Sequence, residues 1–101
     1  MGHDDSIYLT VVSNPSKMNL LANYVEGLPN DLKSGDEITR FITYVRNGDK
    51  ANLVYSFRDL TKIQQLIVSE AFRMLCRTCD RTVFDSHMNE VLPKLIMKVS
   101  G

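Results

Sequence analysis

The sequence predicts an α+β fold: one helix-rich domain in the order β-α-α-β-α-α. Three observations carry that expectation. Two short runs rich in β-branched and aromatic residues, 6–12 (SIYLTVV) and 52–57 (NLVYSF), read as strands. Four longer stretches repeat apolar residues at i, i+3, i+4 and i+7, the spacing of amphipathic helices. The chain has 101 residues, which suits a single domain with one core and no staples.

Taken in order, residues 6–12 alternate Ile7, Leu9 and Val11 against Tyr8, Thr10 and Val12, as in a strand buried partly on both faces. Residues 1–5 precede it as a flexible terminus. Ser13-Asn14-Pro15-Ser16 stops the strand, and Ser16 is placed to cap a helix whose inner row is Met18, Leu21, Ala22 and Val25. Glu26-Gly27-Leu28-Pro29 ends that helix, and residues 30–35 form a polar loop. A second helix, 36–46, turns Ile38, Phe41, Ile42 and Val45 inward and closes at Asn47-Gly48-Asp49. The second strand follows.

Residues 60–79 form the central helix. Ile63, Leu66, Ile67, Ala71, Met74 and Leu75 make one apolar row, and Val68, Phe72, Cys76 and Cys79 a second beside it. A helix apolar over so much of its girth is surrounded by other elements. Thr61 and Gln64 have the spacing of a capping box. The last helix starts at about Thr82, with Asp85 as its capping partner, and carries Phe84, Met88, Val91, Leu92, Leu95, Ile96 and Val99. Pro93 lies inside that stripe and removes one helical hydrogen bond, so the helix is kinked or split near 90–92. The stripe keeps its phase across the proline, which favours a kink.

Two short strands make a poor sheet. They pair beneath a helical layer, or a second copy supplies more strands and the protein is a homodimer. The helix starts at Ser16-Lys17-Met18-Asn19 and Thr61-Lys62-Ile63-Gln64 echo each other, but any two helix starts share such a pattern.

Composition narrows the function classes. No apolar run approaches the roughly 18 to 20 residues of a membrane helix, so no membrane role is expected. The acidic start lacks the basic region of a secretory signal, and Gly2 has no basic patch nearby to help an acyl anchor. Two cysteines three apart form no disulfide framework, which points to a reducing, cytoplasmic setting. The net charge is zero, but residues 1–37 hold six carboxylates against two lysines, and the remainder reverses the imbalance.

Few residues suggest chemistry. Cys76 and Cys79 form Cys-Arg-Thr-Cys at a helix C-terminus, where the dipole opposes the thiolate that a redox pair requires. With His87 they are a weak alternative zinc set, one ligand short of the usual four. The simpler reading makes the cysteines small apolar fillers and His87 a half-buried ring satisfied by a backbone carbonyl. Asp85, Ser86 and His87 are consecutive on a helix and cannot form a nucleophile relay. Asp36 and Glu37 suit a helix N-terminus. No glycine-rich phosphate loop is present, and no cofactor is expected.

Arg73, Arg77 and Arg81 recur every four residues, with Lys62 further toward the N-terminus. On one continuous helix they form a basic edge for phosphates or an acidic protein; the plainer reading is a solvated edge paired with Glu70 and Asp80. The short Cys79-Asp80-Arg81 connection lacks the turn glycine of a helix-turn-helix, and the helix after it lacks base-reading side chains. The expectation is therefore a small intracellular non-catalytic protein that binds another protein. An adaptor, a regulator or an inhibitor of a larger protein all fit, including a phage- or virus-encoded one. The alternative is a nucleic-acid-binding regulator using the arginine edge.

Overall fold

The computed structural model describes residues 11–100. Among them are five α-helices and one 3-10 turn: α1 (Pro15–Glu26), the turn (Asn30–Leu32), α2 (Asp36–Asn47), α3 (Lys50–Arg58), α4 (Lys62–Leu75) and α5 (Arg81–Ser100). The described residues contain no strand, so the α+β expectation is wrong and this part of the chain is all-helical.

The second expected strand lies inside α3. As a strand it would bury Leu53, Tyr55 and Phe57 together, yet Leu53 is fully buried while Tyr55 is 65% exposed. The buried set is instead Leu53, Ser56 and Leu60, with Phe57 beside it, the spacing of a helix face. Local chemistry favours the helix as well. Gly48 takes the left-handed conformation (φ 68°) and ends α2. Asp49 then caps α3, its carboxylate accepting from the Asn52 amide N–H at 3.3 Å and from Asn52 Nδ2 at 2.7 Å. These bonds outweigh the weak β preference of Val54, Tyr55 and Phe57.

Most of the first expected strand lies outside the described residues. Its last two, Val11 and Val12, are helical and both buried. The cap of α1 is Asn14 rather than Ser16: its Oδ1 accepts from the Ser16 and Lys17 amides at 3.0 and 3.3 Å, and Pro15 occupies the first turn. The caps of α1 and α4 are thus Asn14 and Thr61, so the resemblance between the segments starting at Ser16 and Thr61 does not match cap to cap.

Helix α4 is central, as its girth of apolar residues requires, and packs on α1 and α5. The Thr61–Gln64 capping box is formed, but the helix stops at Leu75, before the expected end. Thr78 and Asp80 cause the early stop, because their side chains satisfy local backbone groups. Thr78 Oγ1 accepts from the Asp80 amide at 2.9 Å, and Asp80 Oδ1 accepts from the Val83 amide at 3.1 Å. Asp80 therefore caps α5 in place of Thr82, and Asp85 pairs with Arg81 instead. Helix α5 passes through Pro93 without a split.

Two glutamines join the helices. Gln64 is 2% exposed. Its Oε1 accepts from the Thr61 amide at 3.0 Å, while its Nε2 donates to the carbonyls of Leu32 and Ser34 at 3.0 and 3.1 Å. Gln65 Nε2 donates to the last carbonyls of α3 and the turn after it, at Phe57, Arg58 and Leu60. The core around them is apolar, with Leu21, Phe41, Leu53, Ile67, Leu75 and Phe84 fully buried. Tyr24 is the exception: its ring meets Phe84 edge-on at 5.6 Å, but its buried hydroxyl has no hydrogen-bond partner. Burial, and secondarily the Asp85 carboxylate, raise the Tyr24 pKa above its ordinary value.

Two outcomes follow from these buried polar groups. Replacing Gln64 by Leu orphans the Thr61 amide and two carbonyls, and should lower unfolding free energy by about 2–4 kcal/mol in a denaturant titration. Replacing Tyr24 by Phe removes an unpaired hydroxyl and should be neutral or stabilising by about 1 kcal/mol. The raised Tyr24 pKa means that the unfolded chain releases this proton first. Stability should therefore fall as pH rises above about 10, the ordinary tyrosine value, and Tyr24→Phe should remove that component of the loss.

Candidate functional site

The residues singled out from the sequence do not converge. Arg73 sits in the last turn of α4, Arg77 in the connection after it and Arg81 at the start of α5, so no single helix carries the row. Lys62 lies at the opposite end of α4, eleven residues or roughly 16 Å from Arg73. Arg73 reaches the partly buried Glu70 at 3.8 Å, a long contact, and Arg81 reaches Asp85 at 3.5 Å in an exposed pair that contributes little to stability.

Cys76 is half-buried, Cys79 is exposed, and neither forms a disulfide. His87 is held elsewhere: its Nε2 lies 2.7 Å from Glu70 Oε2, a partly buried bond that ties α5 to α4. The ring is satisfied by a carboxylate rather than by the expected carbonyl. Among the described residues no three His, Cys, Asp or Glu side chains gather closely enough to hold a metal ion, so the Cys76–Cys79–His87 set is not assembled. No described helix is long and apolar enough to cross a membrane. The homodimer expectation rests on two strands, of which the second is helical and most of the first lies outside the described residues.

A different region brings functional groups together. Helices α2 and α3 are joined by only Gly48 and Asp49 and lie side by side. Between them is a groove of about 130 Å³ lined by Glu37, Arg40 and Tyr44 from α2 and by Asn52, Tyr55 and Ser56 from α3, with Asp59 at the end of α3. On each helix these residues recur at three- and four-residue steps, one row facing the other. The inner rows of the same helices, Ile38, Phe41 and Val45 on α2 and Leu53 on α3, are anchored in the core. Anchoring of this kind fixes the groove walls.

The side chains at the groove are held in distinct ways. Gly35, just before α2, has φ 95°, and a Cβ there would lie 2.8 Å from Glu37 Oε1. Glycine at this position thus leaves room for the Glu37 carboxylate to fold back over the loop. Arg58 lies over the Tyr55 ring at 5.9 Å, a cation–π contact that steadies an otherwise exposed phenol. Glu37, Arg40 and Asp59 form no ion pair among the described residues, although Glu37 and Arg40 are three apart on one helix. Contrast Arg46, which reaches from α2 to Glu26 on α1 at 2.7 Å. No hydrogen bond links the Ser56 hydroxyl to a base, so the groove offers recognition groups without an activated nucleophile.

Comparison of the chain with protein-family models, with curated proteins and with solved structures gave no match. The groove does not follow from the sequence expectation, because a strand over 52–57 hides the outward row of α3. The signal is nonetheless present. Glu37, Arg40 and Tyr44 form a polar row on a helix that the sequence did predict, opposite its apolar face.

Because the Cys76–Cys79–His87 set is dispersed, addition of a strong chelator should leave the melting temperature of the purified protein unchanged. Thermal unfolding with and without chelator checks this.

Proposed function

We propose that this protein is non-catalytic and acts by binding another protein through the α2–α3 face, as an adaptor, a regulator or an inhibitor. The observation that carries the reading is Tyr55, 65% exposed yet steadied by Arg58, beside a groove of unpaired charges. Tyrosine and arginine are the side chains that most often anchor protein interfaces, because they bury a large rigid area and keep a polar end. The setting proposed is the cytoplasm, in keeping with two cysteines, Cys76 and Cys79, that form no disulfide.

The second reading, nucleic-acid binding, has one favourable observation. The Arg73 and Arg81 side chains are 71% and 75% exposed at the same end of the α4–α5 hairpin, with Arg77 exposed between them. Phosphate contacts of this kind weaken steeply with salt.

Partner capture from native lysate with nuclease present, followed by titration of the captured partner, separates the two. The Tyr55→Ala variant should bind at least tenfold more weakly, the loss typical of an interface anchor. The combined variant Arg73→Ala, Arg77→Ala, Arg81→Ala should bind as the parent does. The reverse pattern, with capture abolished by nuclease and by the arginine substitutions, would transfer the function to the hairpin end.

A further inference from the structure

The groove between α2 and α3 specifies what it receives, by size, charge and shape. Its volume, about 130 Å³, is well below the roughly 300–1,000 Å³ of pockets that enclose free small molecules. A groove of this size and openness suits one long side chain from a partner. Its ionisable lining is Glu37 and Asp59 against Arg40, a net charge of −1. Each of the three lacks an ion-pair partner among the described residues, so the groups remain available to a ligand.

Two phenols, Tyr44 and Tyr55, complete the walls. Aromatic faces attract cations, and a flat guanidinium stacks on them while its edge N–H groups reach carboxylates in bidentate fashion. The protein already displays this contact once, with Arg58 over the Tyr55 ring at 5.9 Å.

From these features we infer that the α2–α3 groove is a receptor for an arginine side chain. The guanidinium lies between the Glu37 and Asp59 carboxylates and against the tyrosine rings. Arg40 donates to a peptide carbonyl beside the entering side chain, which explains a basic residue in an otherwise acidic groove. An ammonium meets the charge requirement but cannot stack or bind both carboxylates with a planar edge, so lysine is the poorer occupant. That the arginine comes from a protein partner rests on the function proposed above; the preference of the groove for a guanidinium does not.

The test uses the intact protein and defined probes. N-acetyl-arginine methylamide is titrated while backbone amide chemical shifts are followed, with the citrulline and lysine analogues in parallel. Saturable shifts are expected on residues of α2 and α3 around the groove, in the millimolar range usual for an isolated side chain. Citrulline, neutral and of nearly the same shape, should bind at least tenfold more weakly, and lysine should fall between. The isosteric variants Glu37→Gln and Asp59→Asn, both at solvent-accessible positions, should each weaken arginine binding severalfold and together reduce it at least tenfold. No saturable shifts, equal response to citrulline, lysine binding as tight as arginine, or shifts centred away from α2 and α3 would each overturn the assignment. Tyr55→Ala keeps the two proposals apart. Loss of partner binding in that variant, with no arginine response in the parent, would retain the interface and refute the arginine site. Arginine binding without any Tyr55-dependent partner would do the opposite.

Discussion

The arrangement of helices depends on the buried amide of Gln64. One side chain satisfies three backbone groups that a dry interior would otherwise leave open: the N–H at the head of α4 and two carbonyls of the α1–α2 connection. Loops resist burial because their polar groups lack regular partners. Here a glutamine inside the central helix acts as that partner, so residues 30–35 can lie across the α4 N-terminus without a dehydrated carbonyl. Its neighbour Gln65 does the same for the end of α3. The first turn of α4 therefore fixes both the segment that enters α2 and the one that leaves α3, and with them the two walls of the groove.

This constraint explains why part of the fold was legible in the sequence and part was not. The capping box at Thr61 and Gln64, the inner rows of α1 and α2 and the glycine that ends α2 follow local rules, and the structure contains them. Helix α3 did not follow from the same reading. Val54, Tyr55 and Phe57 are strand formers by propensity, and over six residues apolar content outweighs periodicity unless the window extends to Leu60. Once Leu60 is included, Leu53, Ser56, Phe57 and Leu60 define a helical face. The second role of Gln64, reaching 30 and 32 residues back along the chain, has no local signature. Only tertiary structure reveals that a residue chosen as a cap is also a core residue.

The candidate site follows the same division. Arg73, Arg77 and Arg81 are regularly spaced, but the spacing makes one edge only on a continuous helix. Thr78 and Asp80, with their local hydrogen bonds, end that continuity. The groove is built from residues unremarkable one by one, brought together by a two-residue connection. Glu37 can be read from sequence alone as a carboxylate that suits a helix N-terminus, and the structure places it in the first turn of α2. That role does not exhaust it, since Glu37 also lines the groove.

The unequal lengths of α4 and α5 have a separate consequence. The bond between Glu70 and His87 sets the register of this antiparallel pair. Counted outward from it, Lys62, where α4 begins, stands level with Leu95, so Ile96 to Ser100 overhang the helix beneath. There Ile96 and Val99 are each 37% exposed and Met97 is 72% exposed. Just upstream, Pro93 has already removed the hydrogen bond that would reach back to the Asn89 carbonyl. Local opening of this segment is therefore expected to cost less than opening the α4–α5 contact around Glu70 and His87. Amide exchange and methionine oxidation would start there while α1 to α4 remain intact.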